Sequence, residues 1–384
     1  MKSGWRTCVV FAMSATSVSM AQVTGLSLTQ RSVTNLSTSN TTDQNAQSVS
    51  ITGLSGLTYA GGNTFWAVMD NSDKLVRMNV NFTTNGSIAS ATVAGGLTVA
   101  QSKDHEGIAI TPGGASVFVS EESTPAVHEY RLSDGALLQT LPLPAVYGNR
   151  RTNLGLEALS RSGSSLWTAN EEALSVDGNL SDTSSGTTLR LQRFSVSGST
   201  ATAGAQYAYT TAPIHKAATD VPPRDVSDLS RSGLADFVAL PDGRLLTLER
   251  SFARADFIVA DAGSDYQTRI YLVDPTGATD ISGFSGLTGQ SFTAVQKSAS
   301  PLWSNTTGAF SGGIGNLEGL TLGPQLANGN WTLLGVVDDG DPISDNALVS
   351  FELVGPIPEP SSMLAGAVAA IAILRRRRCH PMQR

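Results

Sequence analysis

The sequence predicts an all-β protein and, within that class, a β-propeller. Two observations carry this prediction: one hairpin pattern occurs five times along the chain, and an alternating apolar stretch follows each copy. Many short strands separated by regular turn signals are typical of propellers. A β-sandwich seldom repeats one hairpin signature five times, and a β-helix repeats at a shorter spacing, so these two architectures are the less economical alternatives.

Each copy of the pattern consists of a short apolar strand, a turn and a second apolar strand that ends in an acidic residue. The first strands begin near residues 53, 104, 153, 233 and 316. Turn residues that suit tight hairpins lie at 61–63, 112–114, 162–164, 241–243 and 328–330. The stretches that follow alternate with period two, as half-covered strands do, at 75–80, 127–132, 189–196, 269–273 and 348–353.

A fourth β-prone stretch follows each of the first four units, as at residues 136–143, but the fifth unit lacks one. Residues 25–36 are therefore predicted to close the last blade, which removes an exposed sheet edge. This arrangement predicts five visible four-stranded repeats. A degenerate sixth blade near residues 280–303 leaves the count open at five or six. The polar stretches 175–188 and 211–230 are predicted to be loops.

The chain is predicted to have three parts: a signal peptide at residues 1–21, the β body at 22–354 and a short segment at 355–384. The first part has positive charge from Lys2 and Arg6, an apolar stretch and small residues before the cleavage position. Both cysteines of the chain fall in the two outer parts. The body must therefore be stabilised by its core rather than by disulfides.

The C-terminal segment combines Pro358-Glu359-Pro360, an apolar run at 363–374 and four arginines at 375–378. At about 1.5 Å per residue the apolar run reaches roughly 18 Å, against about 30 Å of bilayer hydrocarbon, which predicts transient or weak membrane association. The order of the parts resembles the PEP-CTERM sorting signal of bacterial exported proteins. This resemblance implies processing by an exosortase-type enzyme, and a location in the cell envelope or outside the cell.

Charge narrows the classes of partner. The whole chain has 25 basic and 32 acidic residues; without the two outer parts, 18 basic and 31 acidic residues remain, a formal charge of −13. Such a surface repels phosphate backbones, which argues against a nucleic-acid partner, and it favours divalent cations.

Acidic residues recur at equivalent places in the repeat, and equivalent places in a propeller form a ring around its axis. The first strands contribute Glu106, Glu157 and Glu318. The candidate cation ligands are Asp70, Glu121, Glu157, Glu171, Glu249 and Asp338. Carboxylate oxygens suit hard cations, and Ca²⁺ is the predicted cofactor. In the alternative interpretation, each acid caps its own turn or pairs with a neighbour such as Arg250.

The body contains no G-x-S-x-G nucleophile motif, no cysteine and no close histidine pair, which leaves neither a catalytic triad nor a zinc site to name. Water activated by a carboxylate-bound metal is the more economical hydrolytic mechanism. The candidate catalytic residues are His105, Glu106 and Glu318, although His105 can also be read as a plain turn histidine. Lys103 and Arg250 are the candidates for orienting a phosphate.

Several short motifs together resemble the phytase-like domain family, which is described by its esterase-like activity of phytase. They are Leu54-Ser55-Gly56-Leu57, Asp104-His105-Glu106-Gly107, Leu248-Glu249-Arg250, Asn316-Leu317-Glu318-Gly319-Leu320 and Asp338-Asp339. The resemblance covers most of residues 50–354 and implies a propeller-like fold and phosphoester hydrolysis.

Two hypotheses follow for the body. In the first, it is an exported, metal-dependent hydrolase of phosphate esters. In the second, it is a non-catalytic propeller that binds an envelope polymer or another protein, and its acids bind structural Ca²⁺ or cap turns. Clustering of the acids with Lys103 and Arg250 in one pocket would favour the first hypothesis, and dispersal around the rim would favour the second.

Overall fold

The computed structural model describes residues 23–36, 40–198, 200–217, 219–220, 230–256, 264–308, 314–338 and 346–358. The predicted signal peptide and most of the C-terminal segment lie outside these ranges. No helix among the described residues has the length and hydropathy of a membrane span.

The described chain is almost entirely β-structure. Before the first blade lie β1 (Ser27–Asn35), β2 (Thr41–Thr42) and β3 (Ser48–Val49). Blade 1 consists of β4 (Leu54–Gly61), β5 (Thr64–Met69), β6 (Ser72–Phe82) and β7 (Ile88–Lys103). Blade 2 consists of β8 (His105–Ile110), β9 (Ser116–Glu121), β10 (Ala126–Arg131) and β11 (Leu137–Leu141), and a 3₁₀ helix (Ala145–Asn149) follows it.

The remaining three blades follow in chain order. Blade 3 consists of β12 (Leu156–Ser162), β13 (Ser165–Asn170), β14 (Thr188–Ser197) and β15 (Thr200–Thr210). The next strands are β16 (Thr219–Asp220), β17 (Arg231–Ala239), β18 (Leu245–Ala253), β19 (Ala255–Asp256), β20 (Asp265–Asp274), β21 (Gln296–Lys297) and β22 (Trp303–Gly308). Blade 4 is built from β17, β18, β20, β21 and β22. Blade 5 consists of β23 (Leu317–Gln325), β24 (Trp331–Val337), β25 (Ala347–Val354) and β1.

Closure by the N-terminal strand is confirmed. Strand β1 pairs antiparallel with β25, so that Ser27 lies opposite Val354 and Asn35 lies opposite Ala347. The stretch 280–303 forms no sixth blade, because β21 and β22 both pair with β20 and thereby complete blade 4. The protein is a five-bladed propeller in which all five sheets are antiparallel.

Apolar side chains fill the space between neighbouring blades. Phe237 and Tyr209 pack together between blades 4 and 3, and Val68 and Val119 share a cluster between blades 1 and 2. All four are buried. Burial of each large apolar side chain stabilises the fold by about 1.5–3 kcal/mol, which offsets the lack of disulfides in the predicted body.

The innermost strands β4, β8, β12, β17 and β23 contact one another in a closed ring. A glycine lets two of these strands approach closely: a Cβ added at Gly107 would lie 2.5 Å from the backbone nitrogen of Leu159. Gly56 and Gly319 occupy the same place in blades 1 and 5, and Asp236 occupies it in blade 4. Close packing around the axis thus requires glycine at Gly107 and Gly319, whereas the equivalent places in blades 3 and 4 accommodate Ala158 and Asp236.

The two faces of the propeller differ in what they present. All innermost strands begin at one face, here called the upper face, and run towards the hairpin turns of the opposite, lower face. Both ends of the described chain lie at the lower face, where the guanidinium of Arg244 donates to the carbonyl oxygens of Thr24 and Pro356 at 3.3 and 3.1 Å.

Candidate functional site

A cavity of about 240 Å³ opens at the upper face, over the start of the innermost strands. We call it the acidic pocket. Its lining consists of Asp70, Asn71, Asp104, Glu106, Glu122, Asn153, Glu157, Glu171, Arg231, Arg250 and Glu318. Among the described residues, seven carboxyl groups thus face two guanidinium groups, a formal charge of −5 if every group is ionised. A cavity with this excess of negative charge is suited to cations.

The innermost strands aim Glu106, Glu157 and Glu318 into the pocket through a repeated irregularity. In all five blades the pairing between the innermost strand and its neighbour shifts register at this place, for example between His105 and Ile108. A β-bulge of this kind re-aims a side chain, and bulges are frequent beside active sites. The bulge, together with the following small residue, therefore explains why the glutamates converge near the axis.

The ends of the second strands supply the other acidic residues. The backbone N–H of Glu122 donates to Asp104 O at 2.9 Å, and that of Glu171 donates to Gly155 O at 2.9 Å. The backbone N–H groups of Asp70 in blade 1 and Asp338 in blade 5 donate equivalent hydrogen bonds. In blade 4, Arg250 occupies the equivalent position in the pairing of the first two strands. The structurally equivalent set is therefore Asp70, Glu122, Glu171, Arg250 and Asp338.

Two groups of carboxylates in the pocket are close enough to hold a cation. Oxygen atoms of Asp70, Asp104 and Glu106 lie within 4.8 Å of one another, and so do oxygen atoms of Glu122, Glu157 and Glu171. Two observations fit a cation bound in the pocket. Oδ1 of Asp70 is buried and accepts no hydrogen bond within the described ranges. An all-oxygen donor set of this kind suits Ca²⁺ or Mg²⁺.

The two groups differ in their neighbours. Glu171 lies 3.3 Å from a nitrogen of Arg231 and 3.5 Å from a nitrogen of Arg250, so its charge is already compensated. Arg250 also contacts the carboxylate of Glu318 and donates to Asn316 Oδ1 at 2.8 Å. In the first group, two of the acids accept hydrogen bonds from neutral side chains: Asn71 donates to Asp70, and Ser55 donates to Glu106, both at 2.8 Å.

Burial and crowding hold protons in the pocket. Burial, followed by the charge of Glu157, raises the pKa of Glu106 well above its ordinary value. The pKa of Glu157 is raised in the same way, by burial and then by Glu171. Burial also raises the pKa of Glu122 to about 7, against the opposing effect of the hydrogen bond from Gly155. A bound cation would replace these protons.

Six of the residues predicted from the sequence line the acidic pocket: Asp70, Glu106, Glu157, Glu171, Arg250 and Glu318. Asp338 lies at the equivalent ring position, but it is not among the lining residues, and its Oδ2 accepts a hydrogen bond from Asn316 at 3.1 Å.

Glu121 and Lys103 lie outside the acidic pocket. Glu121 is buried and contacts Nε2 of His128 at 2.8 Å, and Nζ of Lys103 donates to Glu121 at 3.2 Å. The ring position that the repeat suggested for Glu121 belongs to the next residue, Glu122. Successive side chains of a strand point to opposite faces, so a shift of one residue turns the side chain from the axis towards the space between blades.

Glu249 and His105 are also buried away from the pocket. Glu249 accepts hydrogen bonds from Tyr209 Oη at 2.5 Å and Lys297 Nζ at 2.6 Å. His105 is fully buried, with its ring nitrogens 3.1 Å from Ser72 O and 3.2 Å from Tyr130 Oη. Burial lowers the pKa of His105 to about 4. His105 is not among the residues that line the pocket, so its ring is not placed to act there as an acid or base.

Five lining residues were not among the candidates: Asn71, Asp104, Glu122, Asn153 and Arg231. Asp104 and Glu122 are chain neighbours of predicted site residues. The acidic doublet Glu121-Glu122 and the run Asp104-His105-Glu106 are therefore the sequence features that could have indicated them. Arg231 follows the predicted loop 211–230, and no motif marks it.

Comparison with known families gives two matches. The family model described as phytase-like, esterase-like activity of phytase, matches residues 49–341. A model of the PEP-CTERM protein-sorting motif matches residues 356–378. The sorting motif indicates export to the cell envelope and processing by exosortase-type machinery. No curated protein matches the chain.

Solved structures resemble the chain only distantly. Hydrazine synthase of Kuenenia stuttgartiensis is 10% identical, with a TM-score of 0.30; the match covers 76% of this chain and 57% of that one. A structural genomics protein of unknown function from Bacteroides thetaiotaomicron is 9% identical, with a TM-score of 0.35 and coverage of 85% and 76%. The chain thus spans little more than half the length of the first of these, and neither likeness bears on its function.

Proposed function

Because this chain belongs to the phytase-like family, we propose that it is an exported hydrolase of phosphate esters that works with a divalent cation in the acidic pocket. One observation carries the proposal: a single cavity brings a cation-type group of carboxylates together with two arginines. A phosphate ester needs both, since its charge must be neutralised and its oxygens must be oriented.

Asp70, Asp104 and Glu106 are the residues proposed to hold the cation. Their oxygens are close together, Asp70 and Glu106 accept hydrogen bonds from the neutral side chains of Asn71 and Ser55, and Oδ1 of Asp70 has no partner among the described residues. The other group is less suited, because Glu171 already pairs with two arginines. When bound, a divalent cation polarises a phosphoryl oxygen and lowers the pKa of a coordinated water.

Arg231 and Arg250 are proposed to orient the phosphate. Guanidinium groups bind phosphate oxygens through paired N–H donors. Both side chains remain partly accessible, with 29% and 15% of their surface exposed. Glu318 contacts Arg250 and would position it, and the nearby Glu171 would do the same for Arg231.

Glu122 is proposed to move a proton at neutral pH. One of its oxygens, Oε1, accepts a hydrogen bond from the N–H of Gly155 at 3.0 Å, and the pKa of the carboxyl is about 7. A group with this pKa exists in both protonation states near pH 7, which suits a general acid or base. It replaces His105 in that role.

The position of the chain ends agrees with an exported, C-terminally processed enzyme. The sorting motif begins at residue 356, at the lower face, whereas the acidic pocket opens at the upper face. Processing of the C-terminal segment would therefore leave the pocket mouth free. The clustering of the acids with Arg250 also favours hydrolysis over the non-catalytic hypothesis, although Lys103 is not part of the cluster.

The test is phosphate release by the purified protein from phytate and from p-nitrophenyl phosphate, with Ca²⁺, with Mg²⁺ and with a chelator. We expect release that the chelator abolishes and that Asp104→Asn and Glu318→Gln each reduce by at least about tenfold. Asp134→Asn is the matched control, because Asp134 is half exposed, pairs with Arg131 on the surface and lies outside the acidic pocket. A folded protein that releases no phosphate with any metal would support the binding hypothesis instead.

A further inference from the structure

A second cavity lies at the other end of the propeller axis, at the lower face. Its volume is about 270 Å³, and we call it the lower pocket. Its lining includes Tyr59, Ile110, Arg161, Leu322 and Trp331. The volume is slightly below the range of about 300–1,000 Å³ that is typical of sites for drug-sized ligands, which suits a small molecule.

The lower pocket is built by the same innermost strands as the acidic pocket, four residues further along each. Glu106 at the upper end is followed by Ile110 at the lower end, and Glu318 is followed by Leu322. Four residues of a strand span about 13 Å, so the two pockets are separate sites. The axis thus has a strongly acidic end and an end that is largely apolar.

Among the described residues that line the lower pocket, Arg161 is the only charged one. Its Nε donates to Ile110 O at 2.6 Å and its Nη1 donates to Gly163 O at 2.5 Å. A guanidinium has five N–H donors, so three of them have no partner within the described part of the chain. No carboxylate of that part forms an ion pair with Arg161.

We propose that the lower pocket binds a small organic monoanion, a carboxylate with an aromatic or aliphatic body. The single uncompensated guanidinium matches one carboxylate, whose two oxygens accept paired N–H donors. Tyr59 and Trp331 offer apolar and aromatic surface to the body of the same ligand. A polyanion fits less well, because only one positive charge is available. This site is independent of the hydrolytic function proposed for the upper face.

The test is isothermal titration calorimetry of the purified protein with benzoate, octanoate and the neutral isostere benzamide. We expect saturable binding of at least one carboxylate, and binding of benzamide that is at least about tenfold weaker, because the charge-assisted hydrogen bonds are lost. Arg161→Gln should weaken carboxylate binding by a similar factor, and Arg161→Lys, which keeps the charge, should weaken it less.

Arg77→Gln is the matched control, because Arg77 is exposed, also donates to a carbonyl oxygen, and lies outside the lower pocket. It should leave binding unchanged. Equal affinity for benzoate and benzamide, unchanged affinity in a folded Arg161→Gln protein, or no saturable binding of either carboxylate would each overturn the proposal. Loss of phosphate release in a separate assay would not affect it, since that activity is assigned to the other face.

Discussion

Replacing Asp236 with asparagine should make the fold more resistant to alkali. Asp236 lies on the innermost strand of blade 4, where three of the other blades have glycine, and only 2% of its surface is exposed. Its Oδ2 accepts a hydrogen bond from the N–H of Leu320 at 2.7 Å, whereas its Oδ1 has no partner among the described residues. Burial raises the pKa of this carboxyl to about 8.

The sign and size of the effect follow from this pKa. Between pH 3.8, the ordinary pKa, and pH 8, the folded protein keeps a proton that the unfolded chain has released. The free energy of unfolding therefore falls as pH rises through this window, by about 1.4 kcal/mol per pH unit. Over the whole window the loss from this one group is on the order of 6 kcal/mol.

The assay is urea unfolding of the wild-type protein and Asp236→Asn at pH 5, 7 and 9. Asparagine can accept the same hydrogen bond from Leu320 but does not titrate. The difference between the free energies of unfolding of the two proteins gives the contribution of Asp236, because the other buried acids titrate in both. We expect the free energy of unfolding of the variant to rise relative to that of the wild type as pH rises, and this difference to level off above about pH 8. A difference that stays constant across pH would refute the reasoning.

Three further predictions concern the pocket and the packing. Ca²⁺ binding, measured by calorimetry, should strengthen from pH 5 to pH 8, because Glu122 lies beside Asp104 and adds a negative charge next to the proposed site as it loses its proton through its pKa of about 7. Gly107→Ala should destabilise the fold by at least about 1–3 kcal/mol in urea unfolding, since the added Cβ would clash with a neighbouring strand, whereas Gly148→Ala, which has open space, should not. Arg190→Leu should lower the free energy of unfolding by about 3–5 kcal/mol, because it leaves Asp177, its fully buried ion-pair partner, uncompensated.

Each of these predictions has an outcome that contradicts it. Ca²⁺ affinity that is flat or falls with pH would mean that the buried carboxyls hold no protons in competition with the cation. Equal stability of the two alanine variants would show that the innermost strands can move apart at little cost. An Arg190→Leu protein as stable as wild type, with Asp177→Leu equally neutral, would mean that the pair contributes nothing to stability.

The hairpins, the third strands and the closing N-terminal strand could be predicted from the sequence because their signals are local. Turn residues, apolar alternation and a missing fourth strand can all be counted along the chain. The number of blades is harder to predict from the sequence. From the sequence alone, residues 280–303 fit a degenerate sixth blade, and only the pairing of β21 and β22 with β20 assigns this stretch to blade 4.

The acidic character of the site was also determined by the sequence alone, since Glu106, Glu157 and Glu318 recur at one place in the repeat. Only the tertiary structure decided which of the neighbouring acids join them. Counting residues from strand to strand selected Glu121 and Glu249, whereas the paired strands place Glu122 and Arg250 at the pocket. The physical reason is that the hairpins differ in length: the β-bulge is common to all five innermost strands, but the last pair before the turn is Ser162 and Ser165 in blade 3 and Ile110 and Val117 in blade 2. A nearly constant offset along the chain therefore selects a neighbouring residue in some blades, and one residue is enough to turn a side chain from the axis to the space between blades.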